Sequence, residues 1–200
     1  MMSRPGVLFL VVGPSGVGKD SLIDGARQFL KDDVSFCFPN RSITRAADAG
    51  GETHHAITMQ DFDRMAQIGA FFLSWRAHGH GYGIPIAAKN ALCRGRSVIV
   101  NVSREVIDAA RREWSPVRVM LITAPRDVIK QRLIERRRET DDEIERRLDR
   151  MDAYQVEGEN VREIVNADRL DQAIDRFVAL LEHEVLSSIA ASQMAGELSE

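Results

Sequence analysis

The segment Gly13–Ser21 reads GPSGVGKDS, and it joins two different hydrophobic patterns. The apolar run Val7–Val12 before it is typical of a strand that is buried on both faces. After Lys19, apolar side chains recur on one helical face. A glycine-rich turn between strand and helix lets backbone N–H groups and the helix dipole converge on phosphate oxygens. We therefore predict a phosphate-binding loop rather than a plain glycine turn. Its residues are Gly13, Pro14, Ser15, Gly16, Val17, Gly18, Lys19, Asp20 and Ser21.

Further along the chain, strand-like and helix-like patterns alternate. Short apolar runs at Ser97–Val102 and Val117–Thr123 predict two more inner strands, and Glu163–Asn166 is a shorter candidate. Ser103 is a candidate cap for the next helix, and Pro125 suits a first helical turn. The alternation predicts an α/β domain in which helices flank a mainly parallel central sheet.

Two stretches interrupt this alternation. Residues 36–96 are richer in glycine, histidine and aromatic residues and predict an inserted lobe. Residues 134–147 are almost all charged and predict an exposed flap or a turn between helices. The small, polar residues 187–200 are expected to form a flexible tail. The predicted core comprises residues 6–35 and 97–186 of a single domain, 1–186.

The composition is that of a folded protein with little net charge. The 200 residues are 44% hydrophobic with a formal net charge of −3, which argues against a broad nucleic-acid or anionic-membrane surface. The two cysteines, Cys37 and Cys93, form no CxxC pair, so a disulfide scaffold and a four-cysteine zinc site are excluded. No apolar run near the start is long enough to span a membrane. We expect a cytoplasmic monomer or homodimer that binds neither nucleic acid nor membrane.

Two polar residues near the predicted loop suggest how a metal ion would bind. A serine or threonine usually follows the lysine of such loops and binds Mg²⁺, but this chain has Asp20 there, followed by Ser21. The second predicted strand ends at Asn101, where a carboxylate is usual. Because Mg²⁺ prefers hard oxygen ligands, we interpret the two differences as linked and predict Mg²⁺ ligation by Asp20 and Ser21. The alternative is that Asp20 only favours the helix N-terminus electrostatically.

Several segments resemble the guanylate-kinase branch of the P-loop kinases, over roughly residues 6–182. They are GPSGVGKDS, SITRAADAGGE (Ser42–Glu52), HGHGYGIP (His78–Pro85), RRETDDEIERRL (Arg137–Leu148) and IVNAD (Ile164–Asp168). The resemblance implies an ATP-dependent kinase that uses Mg²⁺. It also implies that the inserted lobe holds the phosphoryl acceptor and that the arginine-rich flap is a lid over ATP.

Within that branch, GKDS, ITRAADAGGE and HGHGYGIP are similar to the kinases that act on ribose 1,5-bisphosphate. This resemblance implies transfer of the γ-phosphoryl group of ATP to the 1-phosphate, giving 5-phospho-α-D-ribosyl 1-diphosphate, in phosphonate breakdown. Two alternatives are a guanylate or other nucleoside monophosphate kinase, and a binding module without catalysis. The intact glycines and Lys19 argue against the second, since such modules typically lose the phosphate loop.

Two positions argue against a guanine-binding acceptor site, and a third departs from the family pattern. Guanylate kinases place carboxylates where this chain has Leu73 and Ser103, and a second arginine where it has Asp48. An apolar side chain cannot accept hydrogen bonds from the guanine edge, so selectivity for the base would be lost. The acceptor is therefore expected to lack guanine. Trp75, near the first of these positions, is interpreted as a core residue rather than a substrate-stacking one.

The resemblance also implies roles for individual residues. Lys19 and the flap arginines Arg138 and Arg147 would stabilise the transferring phosphoryl group. Asn166 would border the adenine of ATP. The acceptor-binding candidates are Arg41, Arg45, Glu52, His78, Tyr82 and Ser103. ATP and ribose 1,5-bisphosphate are the expected small-molecule partners.

Overall fold

The structure is a computed structural model, and it describes residues 4–46, 53–136, 140–152, 155–158, 160–167 and 169–197. Two candidate site residues, Glu52 and Arg138, lie outside these ranges, and so does Asp48. The backbone of Arg147 lies in a described helix, but its side chain lies outside the description.

Outside the predicted inserted lobe, strands and helices largely alternate along the chain, as the sequence predicts. The strands are β1 (Leu8–Val12), β2 (Phe36–Cys37), β3 (Ser42–Ile43), β4 (His55–Ala56), β5 (Phe71–Ala77), β6 (His80–Pro85), β7 (Ser97–Asn101), β8 (Val117–Thr123) and β9 (Val161–Val165). The helices are α1 (Lys19–Phe29), α2 (Met59–Gln67), α3 (Ile86–Cys93), α4 (Ile107–Glu113), α5 (Arg126–Arg136), α6 (Asp141–Asp152) and α7 (Leu170–Glu197). A 3₁₀ turn, Arg104–Val106, leads into α4.

The central sheet is parallel throughout, in the order β2-β7-β1-β8-β9. Every residue of β1 is buried, which agrees with its uninterrupted apolar sequence. Phe9 and Val11 pack with residues of α1 and α7, whereas Leu8 and Leu10 pack with residues of α3 and α4. The predicted mainly parallel sheet with helices on both faces is therefore confirmed.

Because these strands run parallel, the segments that follow them meet at one edge of the sheet. The predicted phosphate loop begins at Gly13, directly after β1. Its neighbour β7 ends at Asn101, and Asn166 comes directly after β9. The carboxyl edge of the sheet thus brings two sequence-distant segments next to the loop.

Residues 42–85 contain a second, four-stranded sheet in the order β4-β3-β6-β5. Its longest pairing is the antiparallel hairpin of β5 and β6, which turns at His78 and Gly79 with positive φ angles of 52° and 77°. The Phe62 ring of α2 packs on this sheet so closely that a Cβ on Gly81 would lie 2.8 Å from it. β2 falls inside the predicted lobe but pairs with β7 in the central sheet. The inserted sheet therefore begins after β2.

The charged stretch predicted as a flap lies where α5 is followed by α6. Both helices bury apolar side chains in the core, namely Ile129 and Leu133 of α5 and Ile144 and Leu148 of α6. The helices on either side of the charged stretch are therefore anchored by hydrophobic packing, while their polar faces point away from the core.

Helix α7 is longer than the sequence predicts, because it continues to Glu197 through most of the expected tail. Ser188 is buried on it, and Arg4 donates hydrogen bonds to the carbonyl oxygens of Ser188 and Ile189. The alanine-rich sequence of this segment has good helix propensity, which its small, polar character concealed. Neither α7 nor any other helix in the described part of the chain is both long and apolar enough to cross a membrane.

Glu184 joins α7 to the sheet. Its carboxylate is only 2% exposed and accepts hydrogen bonds from Arg118 of β8 at 2.5 Å and from Arg162 of β9 at 2.6 Å. Burial alone would raise the pKa of Glu184, but the two guanidinium groups outweigh it and hold the pKa below its ordinary value. The carboxylate is therefore ionised in the folded protein near neutral pH.

Candidate active site

The loop after β1 packs so closely against its neighbours that side chains would not fit at two of its positions. A Cβ on Gly13 would lie 2.3 Å from the carbonyl oxygen of Ile122 in β8. Gly18 precedes α1 with a φ of 96°, and a Cβ there would lie 2.4 Å from Nδ2 of Asn166. Only glycine combines this conformation with so close an approach. The backbone therefore has the strand–loop–helix form that binds phosphate.

Lys19 stands at the first position of α1. Its Nζ donates hydrogen bonds to the carbonyl oxygens of Gly13 and Pro14, at 2.8 and 2.9 Å. These bonds hold the ammonium group over the loop instead of letting the side chain extend into solvent. A phosphate bound in the loop would meet a lysine that is already in position.

A cavity of about 310 Å³ opens beside the loop, lined by Gly18, Ser21, Arg132, Glu135, Asn166 and Leu170. Asn166 is only 2% exposed, and its Nδ2 donates to the carbonyl oxygen of Val17 at 2.8 Å. Oδ1 of Asn166 and Nη1 of Arg132 are buried without a hydrogen-bond partner among the described residues. Because unpaired buried polar atoms are costly, this acceptor and this donor point to a polar ligand in the cavity.

Arg132 lines this cavity, but the sequence pattern does not identify it as a candidate binding residue. It stands in α5 among several basic residues, and spacing alone does not separate it from those that face solvent. The packing of α5 against the loop decides its position, since a Cβ on Gly16 would lie only 3.1 Å from Cδ2 of Leu133. Sequence patterns supply no signal for that tertiary contact.

The end of β7 joins the loop to the inserted sheet. Nδ2 of Asn101 donates a hydrogen bond to Oδ1 of Asp20 at 2.7 Å. The backbone carbonyl of Asn101 accepts a hydrogen bond from Nη1 of Arg41 at 2.9 Å. The same three residues help to line a smaller cavity of about 20 Å³. Asp20 follows the loop lysine and Asn101 ends β7, and both depart from the residue that is usual there. These two residues are therefore in direct contact.

Arg41 is only 9% exposed, and aromatic rings hold its side chain. The guanidinium lies 5.8 Å from the ring centroid of Trp75 and 5.4 Å from that of Tyr82. The two rings stack on each other with centroids 5.3 Å apart and planes 8° apart. Trp75 thus contacts the candidate site residue Arg41 as well as packing against the core. A guanidinium held by cation–π contacts in this way is preorganised for an anion.

The other acceptor candidates lie in different settings. Nε of Arg45 is buried without a hydrogen-bond partner in the described ranges, and the backbone carbonyl of Arg45 lies 3.1 Å from Nε2 of His54. His78 is exposed at the tip of the hairpin. Ser103 occupies the N-cap position of the 3₁₀ turn, but its side chain makes no capping hydrogen bond. Leu73 is buried in the core.

Ion pairs fasten α5 to α6 on the side of the predicted flap. Glu145 accepts hydrogen bonds from Lys130 at 2.5 Å and from Arg126 at 3.2 Å. Arg126 also pairs with Asp149 at 2.9 Å. The hydrogen bond from Lys130 is the main cause that lowers the pKa of Glu145 below its ordinary value. Acidic residues of α6 therefore offset part of the basic charge of α5.

The oxygen atoms beside the loop fit a hard divalent cation that arrives with a nucleotide. Asp20 is half-buried in the first turn of α1, and the next residue, Ser21, lines the larger cavity. Carboxylate and hydroxyl oxygens are suitable ligands for such an ion. Within the described ranges no group of three or more His, Cys, Asp or Glu side chains could hold a metal by itself. The ion would therefore depend on phosphate oxygens for much of its coordination.

Comparison with known proteins identifies the family. The family model for guanylate kinase matches residues 4–184. The bifunctional ribose 1,5-bisphosphokinase-thymidine phosphorylase of Roseobacter denitrificans is 44% identical over 177 residues, which are 88% of this chain and 26% of that protein. The ribose 1,5-bisphosphate phosphokinase PhnN of Rhodopseudomonas palustris is 47% identical over 146 residues, 73% of this chain and 75% of that protein. The chain thus spans about a quarter of the bifunctional relative and three quarters of the other.

The fold agrees with this match. The crystal structure of guanylate kinase from Anaplasma phagocytophilum superposes with a TM-score of 0.63 at 19% sequence identity, covering 92% of this chain and 89% of that one. With a phosphate loop at the end of β1 and a family match over residues 4–184, this chain belongs to the guanylate kinase family of P-loop kinases.

Proposed function

We propose that this protein transfers the γ-phosphoryl group of ATP to the 1-phosphate of ribose 1,5-bisphosphate, giving 5-phospho-α-D-ribosyl 1-diphosphate and ADP, in phosphonate breakdown. The observation that carries the proposal is the contact at the end of β7, where Asn101 meets both Asp20 and Arg41. It brings a phosphate loop and a positively charged side chain of the inserted sheet to one place. The names of the relatives at 44% and 47% identity support ribose 1,5-bisphosphate as the acceptor.

ATP would lie along the loop and in the larger cavity. Its phosphates would meet the N-terminus of α1 and the ammonium group of Lys19. The amino group of adenine can donate to Oδ1 of Asn166, and a ring nitrogen can accept from Nη1 of Arg132, so both unpaired atoms would gain partners. Mg²⁺, held by Asp20 and Ser21 with the phosphates, would supply charge neutralisation.

The reaction requires little acid–base catalysis by the protein. An oxygen of the acceptor's 1-phosphate attacks the γ-phosphorus of ATP, and the bond from that phosphorus to the bridging oxygen of ADP breaks. The attacking phosphate is already anionic at neutral pH, so a strong general base is not required. The difficulty is to hold two anionic groups in line, which Lys19 and Arg41 favour from opposite sides of the transferred group.

Further residues would complete the acceptor side and the lid. Tyr82 supports Arg41 and can donate a hydrogen bond to a phosphate oxygen. We assign acceptor binding also to Arg45, Glu52, His78 and Ser103, and stabilisation of the transferred phosphoryl group to Arg138 and Arg147. Closure of the lid and lobe would exclude water and so limit hydrolysis of ATP.

Guanylate is a poorer acceptor for this site. Leu73, at the position where guanylate kinases have a base-reading carboxylate, is buried in the core beside β6. A guanine ring would leave its N–H groups without an acceptor there, which costs selectivity and affinity. The likeness to a guanylate kinase structure at 19% identity concerns the fold alone.

An ADP-release assay with ATP and MgCl₂ tests the proposal when ribose 1,5-bisphosphate, ribose 5-phosphate and GMP are supplied separately. We expect turnover with ribose 1,5-bisphosphate alone, together with formation of the 1-diphosphate, detected by ³¹P NMR. Equal or faster turnover with GMP would contradict the proposed acceptor. ADP release without formation of a diphosphate would show hydrolysis instead of transfer.

A further inference from the structure

The hydrogen bond from Asn101 to Asp20 fixes a carboxylate beside the phosphate loop. Residue 101 is fixed beside the loop by the sheet, since the parallel register pairs it with Val11. The next residue, Val102, donates its backbone N–H to the carbonyl oxygen of Val11 at 3.1 Å. The amide of Asn101 therefore reaches Asp20 from a rigid strand end rather than from a mobile loop.

Asn101 occupies only one of the two carboxylate oxygens of Asp20. The bond goes to Oδ1 at 2.7 Å, and Oδ2 has no hydrogen-bond or ion-pair partner among the described residues. Asp20 is half-buried and lines the small cavity together with Asn101 and Arg41. With one oxygen held by the amide, the other is kept in a defined place beside the first turn of α1, where the phosphates of a nucleotide bind.

We infer that Asn101 is a positioning residue for the metal ion that enters with ATP: its amide holds Asp20 so that Oδ2 faces the ion. The inference rests on the proposed function, because it needs a nucleotide that brings a divalent cation. A residue that orients a metal ligand typically changes metal affinity by roughly 10- to 100-fold, although it does not touch the metal.

The side chain at position 101 also sets the charge around the ion. An aspartate there would place two carboxylates within hydrogen-bond distance, and in the absence of a cation the two like charges would repel each other. The amide of Asn101 donates to Asp20 instead, so it orients one carboxylate without adding a second negative charge beside the phosphates. The arrangement predicts a site that binds its cation with the nucleotide and hardly at all without it.

Mn²⁺ binding, followed by electron paramagnetic resonance, tests this role without relying on catalysis. The protein is titrated with Mn²⁺ in the presence of a non-hydrolysable ATP analogue, with Asn101→Leu as the variant and Asn90→Leu, which removes an exposed amide from α3, as the control. We expect Asn101→Leu to weaken Mn²⁺ binding by about tenfold or more, and Asn90→Leu to leave it unchanged. Binding of the analogue without metal should be the same in all three proteins.

A double variant shows whether Asn101 acts through Asp20. In an Asp20→Ala background, Asn101→Leu should cause no further loss of Mn²⁺ affinity, because the carboxylate that it orients is gone. An equal loss in both backgrounds would overturn the inference, and so would a single Asn101→Leu variant that binds Mn²⁺ as tightly as the unmodified protein.

Asn101→Asp decides the question even if Asn101→Leu does not fold. Two carboxylates at this place should bind Mn²⁺ at least about tenfold more tightly than the unmodified protein does in the absence of nucleotide. Equal affinity would mean that a carboxylate placed against Asp20 does not affect the ion, and the inference would fail. If the unmodified protein binds no ATP analogue, the proposed function is contradicted as well. An unexpected result with GMP or ribose 1,5-bisphosphate in the ADP-release assay concerns the acceptor alone.

Discussion

The donor side and the acceptor side of the site are held together in different ways. On the donor side, adjoining segments and close backbone contacts set the geometry, as where Gly13 meets the backbone of β8. On the acceptor side, the position of Arg41 depends on Trp75, Tyr82 and Asn101, which come from separate parts of the chain. The phosphate loop is thus fixed by backbone packing, whereas Arg41 is held by side chains from separate parts of the chain.

This difference implies that the two sides can change independently. Because the phosphate loop is defined by glycine and by packing on the central sheet, few substitutions in it are compatible with nucleotide binding. The acceptor side uses side chains on a separate sheet, so its substitutions can alter the choice of acceptor without disturbing the loop. Donor-side variants should lose activity with every acceptor, and acceptor-side variants should lose it through the acceptor alone.

Substitution of Lys19 by alanine should have the largest effect. The variant loses the charge that Nζ places over the loop, where negative charge is transferred. We expect kcat to fall by about 10³-fold or more, the magnitude usual for a charged group that stabilises a transferring phosphoryl group. The ADP-release assay measures the rate, and thermal unfolding checks that the fold persists.

Lys31→Ala is the matched control, since Lys31 is an exposed lysine just beyond the same helix. It should leave kcat unchanged. A Lys19→Ala variant with a near-normal rate would show that the loop after β1 is not the donor site, and the contrast between the two sides would then have no basis.

Substitution of Arg41 by lysine should have an intermediate effect that is confined to the acceptor. A lysine keeps the charge but loses the planar group that lies over Trp75 and Tyr82 and donates to the carbonyl oxygen of Asn101. We expect kcat/KM for ribose 1,5-bisphosphate to fall by about 10- to 100-fold, as for the loss of a charged hydrogen bond. KM for ATP should not change.

Arg76→Lys provides the control for that substitution, because Arg76 also lies over an aromatic ring, that of Phe62, but on an exposed face of the same sheet. It should leave both KM values as they are. A rise in the KM for ATP equal to that for the acceptor in Arg41→Lys would contradict the separation of the two sides, since it would mean that Arg41 also sets the geometry of the loop.

The same contrast explains what the sequence could and could not predict. The strand, the loop and α1 are recognisable because their geometry depends on adjoining residues, and the parallel sheet follows from apolar runs such as Val117–Thr123. Asp20 and Asn101 could be connected because each departs from a known pattern. These features are encoded locally or in the alternation of strands and helices.

Features that depend on tertiary packing could not be predicted in this way. Arg132 reaches the larger cavity only because α5 packs on the loop, and its basic neighbours have the same local pattern. Trp75 had to be interpreted as a core residue because its contact with Arg41 joins strands from distant segments. The extension of α7 was missed since small, polar residues suit both a helix and a flexible end.

The ion pairs of Glu184 belong to the scaffold that carries the donor side. Their loss should have the smallest effect on activity. Glu184 links α7 to β8 and to β9, the strand that leads to Asn166. Replacing it by glutamine removes the charge but keeps the shape, and it should lower the free energy of unfolding by about 1–3 kcal/mol at neutral pH. Selectivity for the acceptor should not change, because no acceptor candidate among the described residues bonds to Glu184.

The pH dependence of that loss identifies its cause. The pKa of Glu184 is lower in the folded protein than its ordinary value, so the ionised carboxylate stabilises the fold above the unfolded-state pKa of about 4.3. That contribution disappears as the pH falls from there through the folded-state pKa. Urea unfolding should therefore show a difference between the unmodified protein and Glu184→Gln that is large at pH 7 and shrinks below about pH 4.

Glu182→Gln, an exposed position on the same helix, should show no such difference. If the loss in Glu184→Gln were the same at every pH, it would come from altered packing of α7, and the buried ion pairs would not be what holds this helix to the sheet.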